Sequence, residues 1–310
     1  MAWTPAAAAS VAGPRLAAVT AIAELDEDRV VEGTFAVARK QRLRTRSGAP
    51  YLALELVDPS GRIDARVWND VELLDTRFAE GDAVRVLGRV ERFRDRLQLD
   101  VRSLDTAPDT DAAELSPRAR RDVDELDGFL DFLGDELHHP GLAATVHAFL
   151  GDGELRRAFR SLPATPDGHH AYAGGLLEHT VGVATICREA AQLHPRLRSD
   201  LLLAAALLHD VGRTAELAGA PAFRPTAEGR LLGHVQLGIR LIETRSAALD
   251  PIVRAELLHA VAAHHASRTA QSAEAAVLYC ANQLDAAAAT GAVAHPGGAE
   301  HHRGTDVYNS

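Results

Sequence analysis

The segment LLLAAALLHDVGR, residues 201–213, decides how the second half of this 310-residue chain is interpreted. Its first eight residues are all apolar, which predicts a helix in a protein core. His209 and Asp210 follow directly, where a core helix would prefer leucine. Burying an imidazole and a carboxylate costs free energy unless they are compensated, so the pair indicates a polar site inside a helical core.

Helical patterns continue on both sides of this segment, and no strand pattern interrupts them. The predicted helices span residues 118–136, 141–150, 154–161, 174–193, 199–212, 228–245, 251–264 and 272–290. The second half of the chain is therefore expected to be an all-α bundle.

Several of these helices carry a histidine, a carboxylate or an amide at an apolar boundary. The set is His179, His209, Asp210, His234, His264, His265, Asn282 and Asp285. Such side chains on facing helices of a bundle can build an internal metal site. One His-Asp pair is weak evidence because so short a motif arises by chance, so the prediction depends on the whole set.

The first half of the chain shows β alternation instead of helical periodicity. The expected strands are VVEGTFAVARK (30–40), YLALELVD (51–58), RIDARVW (62–68), DAVRVLGRVERF (82–93) and RLQLDVRSL (96–104). Val71, Leu74 and Phe78 recur at helical spacing between the third and fourth strands. Five strands with a helix at this place are typical of an OB-fold barrel, a common platform for single-stranded nucleic acid.

On such a platform, aromatic side chains stack on bases and basic side chains contact phosphates. The basic candidates, expected in the loop after the first strand, are Arg39, Lys40, Arg42, Arg44 and Arg46. The aromatic candidates are Tyr51, which is preferred, and Phe35, Trp68 and Phe93. The alternatives are that the aromatic residues fill the barrel core and that the basic run is a solvated hairpin edge.

The order of these residues resembles a known family, the HD-domain metallophosphohydrolases. Four segments are similar to those of the two-domain bacterial 3′-to-5′ exoribonucleases of the YhaM type. They are HHAYAGGLLEHT (169–180), LLHDVGR (207–213), EGRLLGH (228–234) and HH (264–265). That resemblance implies an α+β multidomain chain, in which a five-stranded OB-fold barrel precedes an all-α HD domain. It also implies a metal-dependent phosphodiesterase that shortens single-stranded RNA, or single-stranded DNA.

The resemblance further implies two divalent metal ions held by the residues of the helical set. One ion would be bound by His179, His209, Asp210 and a last ligand near the end of the domain. That last ligand would be Asn282 or Asp285. Asp210 would bridge to a second ion, with His234, His264 and His265 as its other ligands. Mixed imidazole and carboxylate ligands favour Mn, Fe, Co or Ni over Mg. Two ions about 4 Å apart would activate a water and clamp the phosphodiester.

Three departures from the family pattern stand out. Arg213 replaces the lysine of the usual H-D-x-G-K motif, which keeps a phosphate-facing charge with another geometry. Ala266 replaces a glycine after the paired histidines, and Asn282 replaces the first aspartate of A-D-x-L-D-A. An amide adds no negative charge, so Asp285, three residues on, is the expected substitute ligand.

His169 and His170 precede the first metal helix in a segment rich in glycine and proline. They are candidates for contact with the nucleic acid, and the alternative is a polar loop packed against the domain. Two other functions stay open for the chain. One is an HD-type nucleotide or cyclic-dinucleotide phosphohydrolase, and the other is a non-catalytic single-strand-binding protein with a decayed metal site, as Asn282 suggests.

Composition limits the class of protein. The net charge is −10, but residues 29–104 carry 15 Arg/Lys against 12 Asp/Glu, which suits a local contact with a polyanion. The two cysteines, Cys187 and Cys280, exclude a disulfide framework. We expect a cytoplasmic protein without membrane association, and the oligomeric state stays open. The predicted organisation is an extension (1–28), the barrel (29–106), a linker (107–117), the HD domain (118–290) and a tail (291–310).

Overall fold

The computed structural model describes residues 21–119, 121–166, 168–219 and 222–290. Most of the predicted extension and the whole predicted tail lie outside these residues. The chain divides into two compact units, with the main division after Pro117. None of the helices in the described ranges has the length and apolar character that crossing a membrane requires.

The first unit is a closed barrel of five strands. The strands are β1 (Val30–Arg44), β2 (Pro50–Asp58), β3 (Gly61–Val67), β4 (Ala83–Phe93) and β5 (Arg96–Thr106), and their order around the barrel is β1-β2-β3-β5-β4. Only β3 and β5 pair in parallel among these neighbours. The short helix α1 (Val71–Asp75) lies between β3 and β4 in the chain. The predicted barrel is thereby confirmed.

Alternate side chains along each strand point into the barrel and fill its interior. The side chains between them point outward. Leu52, Leu54 and Leu56 of β2 are buried, and so is Phe35 of β1, which is 1% exposed. Phe35 is therefore a core residue, which selects the alternative that it fills the barrel over its candidacy for stacking. A barrel of this size needs large apolar side chains in its interior.

Four of the basic residues, Arg39, Lys40, Arg42 and Arg44, lie on strand β1, so their prediction as a loop was wrong, and Arg46 lies in the turn that follows. Strand pairing continues past Lys40, and Arg44 still lies opposite Pro50 of β2. The remaining hairpin turn is short, and Gly48 supplies its positive φ of 88°. Because side chains of a strand alternate between two faces, the basic residues cannot all lie on one surface.

The second unit consists of helices throughout its described residues. They are α2 (Val123–Asp135), α3 (Pro140–Leu150), α4 (Gly153–Ser161), α5 (Gly175–Leu193), α6 (Ser199–Leu208), α7 (Arg213–Glu216), α8 (Ala227–Arg245), α9 (Pro251–Ala263) and α10 (Ala273–Thr290). Every residue of α6 from Leu201 to Leu208 is buried, and α6 packs against α5, α9 and α10. The predicted core helix is thus at the centre of the bundle.

Two predicted helices are interrupted beside the polar residues. The predicted helix 199–212 ends at Leu208, because tight turns follow in which Val211 and Arg213 donate to the carbonyls of Leu208 and Asp210. The predicted helix 228–245 contains a break at Gly233, whose φ is 69°. Both breaks lie next to candidate ligands, so they set the directions of His209, Asp210 and His234.

We expect Gly88→Ala to destabilise the barrel by about 1–3 kcal/mol, the usual cost of overpacking. A Cβ at this position of β4, where the pairing with β5 shifts register, would lie 2.6 Å from the backbone oxygen of Asp100 and 3.0 Å from Leu99 Cγ. Denaturant unfolding followed by tryptophan fluorescence measures the change, since Trp68 lies on the barrel. Gly128→Ala is the control, because no atom is within 4 Å of that helical site. An unchanged unfolding midpoint for Gly88→Ala would contradict the expected clash.

Candidate metal centre

The polar residues of the helical set converge from four helices. His179 comes from α5, His209 and Asp210 follow α6, His234 comes from α8, and the pair His264–His265 follows α9. His179, His209 and His264 are fully buried, and Asp210 is 3% exposed. His265 is exposed at the edge of the group. Residues up to 86 positions apart in the chain are thus brought into one site.

The two carboxylate oxygens of Asp210 face two different sets of histidines. Oδ1 lies 3.3 Å from His234 Nε2 and 3.5 Å from His264 Nε2. Oδ2 lies 3.9 Å from His179 Nε2 and 3.8 Å from His209 Nε2. Asp210 therefore occupies the position that a bridging ligand between two cations would need.

We call Asp210 Oδ1 together with His234, His264 and His265 the Oδ1 side. Asp210 Oδ2 together with His179 and His209 is the Oδ2 side. On the Oδ1 side, His265 Nε2 lies 2.8 Å from His234 Nε2. Asp210, His234, His264 and His265 each offer a donor atom, and these atoms lie within 4.8 Å of one another. On the Oδ2 side, His179, His209 and Asp210 satisfy the same criterion. Both sides could hold a metal ion.

Backbone carbonyls and a carboxylate fix how the imidazole rings point. His209 and His264 each follow the end of a helix, and their Nδ1 atoms donate to Ala206 O at 2.7 Å and Val261 O at 2.5 Å. His179 Nδ1 donates to Asp285 Oδ2 at 2.6 Å. In all three rings the Nε2 lone pair is consequently left to face the site.

These lone pairs need a cation. Among the described residues, Asp210 Oδ1 and His264 Nε2 are buried without a hydrogen-bond partner. The Nε2 atoms of His179 and His209 face each other at 3.2 Å, although neither carries a proton to share in these tautomers. Buried acceptors that face only other acceptors are destabilising, so the donor set fits a divalent metal.

The protonation states also suit metal binding. Burial lowers the pKa of His209 to about 3, so its ring is neutral at pH 7. Burial alone would raise the pKa of Asp210, but Arg213 and the nearby His234 and His209 hold it well below its usual value. Neutral imidazole and ionised carboxylate are the forms that bind metals.

Asp285 lies behind His179, on the side away from Asp210. Its Oδ2 accepts from His179 Nδ1 and, at 2.8 Å, from His170 Nε2. Burial would raise the pKa of Asp285, but these two hydrogen bonds lower it well below its usual value. The carboxylate therefore orients and polarises His179, as carboxylates behind metal-bound histidines commonly do.

Asn282, the other candidate for the last ligand, is buried on α10, one turn before Asp285. Its Nδ2 donates to the carbonyl oxygen of His264 at 3.2 Å. This hydrogen bond holds the chain at the end of α9, and the amide adds no negative charge to the site.

Arg213 is buried beside Asp210 and contacts two carboxylates. Its Nη1 donates to Glu216 Oε2 at 2.7 Å, and its Nε lies 3.6 Å from Asp210 Oδ2. Glu216 also accepts from the backbone N–H of His234 at 3.3 Å, and its Oε2 lies 3.6 Å from His234 Nδ1. Glu216 was not among the residues predicted from the sequence, although its spacing of three residues from Arg213 on a helix was a usable signal.

The two loop histidines have different environments. His170 is buried, and its ring lies between Asp285 and the hydroxyl of Tyr172, 2.7 Å from Nδ1. Tyr172 in turn donates to Glu178 Oε2 at 2.8 Å. His169 is partly exposed, and its ring centroid lies 4.9 Å from that of His179. Burial and the neighbouring His179 and His170 lower the pKa of His169 to about 4.

The candidate nucleic-acid residues of the barrel divide between two faces. Lys40 Nζ donates to the carbonyls of Asp75 and Phe78, each at 2.7 Å, and its side chain is only 9% exposed. Arg42 also contacts the α1 region, through Glu72 and Asp75. These two side chains thus fasten α1 to the barrel.

On the outer face, the rings of Tyr51 and Trp68 lie 4.9 Å apart at an angle of 30°. Trp68 is 46% exposed, and Leu43 lies opposite Tyr51 on β1. Arg39 is exposed on β1, and Arg44 donates to the carbonyl of Gly48 in the turn. Trp68 was the weakest of the aromatic candidates predicted from the sequence, and its pair with Tyr51 is visible only in the structure.

Comparison with known proteins agrees with this division into two units. A family model described as an OB-fold nucleic acid binding domain matches residues 33–106, and an HD domain model matches residues 176–287. A protein of Bacillus velezensis named 3′-5′ exoribonuclease YhaM is 30% identical over 77% of this chain and 79% of its own length. Proteins with that name from Oceanobacillus iheyensis and Bacillus subtilis are 28% and 29% identical, over 76% and 77% of this chain and 75% and 79% of their own lengths.

We expect Asp285→Asn to weaken Mn²⁺ binding at the Oδ2 side by roughly ten- to a hundredfold without abolishing it. The amide keeps the shape of the carboxylate but loses the charge that polarises His179. Mn²⁺ titration followed by electron paramagnetic resonance measures the change, and Asp135→Asn, an exposed carboxylate paired with His147, is the control. Loss of one full equivalent of bound Mn²⁺ would instead identify Asp285 as a direct ligand.

Proposed function

The chain belongs to the YhaM family of exoribonucleases, and we propose that it shortens single-stranded RNA from the 3′ end by metal-dependent hydrolysis of the phosphodiester. The observation that carries the proposal is the position of Asp210, whose two oxygens face two sets of inward-pointing imidazoles. A cytoplasmic location follows from this substrate.

We assign two divalent ions to the centre, one on each side of Asp210. His179 and His209 would hold one ion, and His234, His264 and His265 would hold the other. Mn, Fe, Co or Ni suits these ligands better than Mg, which prefers oxygen. When bound, such ions activate a water at neutral pH and polarise the phosphoryl oxygen.

The residues of the chain keep this centre rigid and correctly charged. Arg213 stabilises the ionised carboxylate of Asp210 from the Oδ2 side, while Glu216 compensates the charge of Arg213 and restrains His234. His170 and Asp285 hold the ring of His179. We therefore assign Arg213, Asp285 and His170 as positioning residues, and His169, which is partly exposed over His179, as the candidate for contact with the RNA.

The barrel would bind the strand through its outer face. The exposed Tyr51–Trp68 pair offers apolar rings on which successive bases can stack without regard to sequence. Arg39 lies on the same face of β1 as Leu43, which is opposite Tyr51, and would supply positive charge for the phosphates, while Arg44 would add its charge at the hairpin turn. Lys40 and Arg42 belong to the α1 contact instead.

The activity is tested with a 5′-labelled single-stranded RNA and Mn²⁺, with products resolved on a denaturing gel. We expect a ladder that shortens from the 3′ end, and its loss in the double variant His209→Ala/Asp210→Ala, because both sides lose ligands. His194→Ala, an exposed residue at the end of α5, is the matched control that keeps activity. Intact RNA together with turnover of a cyclic dinucleotide would contradict the proposal in favour of a small-nucleotide hydrolase.

Replacing the aromatic pair should weaken RNA binding without changing the metal centre. Tyr51→Ala and Trp68→Ala each remove a stacking ring, which costs about 1–3 kcal/mol per base. Fluorescence anisotropy with a labelled single-stranded RNA measures the loss, and Mn²⁺ affinity should stay unchanged. Phe132→Ala serves as control, since this ring is 45% exposed on α2 in the helical unit. Equal binding by all three variants would exclude the Tyr51–Trp68 face as the platform.

A further inference from the structure

The two sides of Asp210 are not equivalent. We propose that the Oδ1 side, formed by Asp210, His234, His264 and His265, is the tighter metal position and is loaded first. The Oδ2 side, with His179 and His209, would then bind its ion more weakly. This inference rests on the proposed function, because it concerns the same two-ion centre.

The number of donors favours the Oδ1 side. Four side chains from α8, the end of α9 and the end of α6 offer donor atoms there, against three on the Oδ2 side. The Oδ1 side also contains the unpartnered pair, Asp210 Oδ1 and His264 Nε2, which face each other at 3.5 Å. A cation relieves a buried repulsion on either side, because the Nε2 atoms of His179 and His209 also face each other at 3.2 Å, so the difference between the sides comes from the number of donors.

The charge near the Oδ2 side opposes a cation. Arg213 Nε lies 3.6 Å from Asp210 Oδ2, on a side chain that is 10% exposed. Like charges repel strongly in an environment with little water. An ion on the Oδ2 side would therefore share its carboxylate oxygen with a fixed guanidinium group.

The outer carboxylates do not reverse this difference. Glu216 lies behind His234, and Asp285 lies behind His179, so each side has one. Asp285 is shared between His179 and His170, and Glu216 is shared between His234 and Arg213, so neither side has an outer carboxylate to itself. Asn282 contributes a neutral amide that is already bonded to the His264 carbonyl. The imbalance in ligand number and the proximity of Arg213 to Oδ2 therefore remain.

Access to solvent favours the same order of loading. His265 is exposed and His234 is 12% exposed in its side chain, so an ion can reach the Oδ1 side from the surface. His179 and His209 are 0% exposed.

Mn²⁺ titration of the metal-free full chain, followed by the electron paramagnetic resonance signal of free Mn²⁺, tests the inference. The wild type should show a tight and a weak class of one ion each. His265→Ala should weaken the tight class roughly tenfold or more, since losing a ligand costs at least as much as losing an outer partner. His209→Gln should lower the affinity of the weak class and leave the tight class unchanged, and His194→Ala should change neither.

The outcomes separate the inference from the proposed function. Loss of the tight class in His209→Gln, or its survival in His265→Ala, would overturn the inference even if the wild type degrades RNA. Two classes that respond as expected in a protein that leaves RNA intact would overturn the proposed function alone. Since His265 is exposed, His265→Ala decides the question even if His209→Gln does not fold, and circular dichroism establishes which variants are folded.

Discussion

The buried negative charge of Asp210 is the constraint on which the helical unit depends. The carboxylate lies at the end of the most buried helix, where an ionised group is unstable without compensation. Arg213 supplies part of the positive charge, and inward-facing imidazoles from α5, α6, α8 and α9 surround the rest. The same arrangement that makes this carboxylate costly makes it a strong ligand for a divalent ion.

Helix ends provide the second layer of order around the centre. The last carbonyls of a helix have no partner within it, so they are free to accept from side chains. His209 and His264 use this property in the same way, each bonding the carbonyl three residues earlier at the end of its helix. His179 lies inside α5 and uses Asp285 of α10 instead. Local helix geometry thus orients two ligands, and contact between distant helices orients the third.

The barrel shows how one run of like charge can have two roles. Lys40 and Arg42 point toward α1 and stabilise the short helix through its carbonyls and carboxylates. Arg39 and Leu43 occupy outward positions of the same strand, and Leu43 lies opposite Tyr51. Because side chains alternate along the strand, Lys40 and Arg42 lie on a different face from Arg39. The number of basic residues in the run is therefore larger than the number available to contact phosphates. The exposed surface combines two aromatic rings with few cations, which suits stacking more than purely electrostatic binding.

The sequence by itself determined the two-unit architecture, the five strands, most helix positions and the convergence of His179, His209, Asp210, His234, His264 and His265. Periodicity and motif order carry this information because they reflect burial and spacing along one element. Tertiary structure alone decided that Asp285 lies behind His179, that Asn282 bonds the His264 carbonyl, that Lys40 is buried against α1, and that Tyr51 pairs with Trp68. These features depend on distances between elements far apart in the chain, and the direction of a side chain across such a contact is set by packing, which no local pattern records.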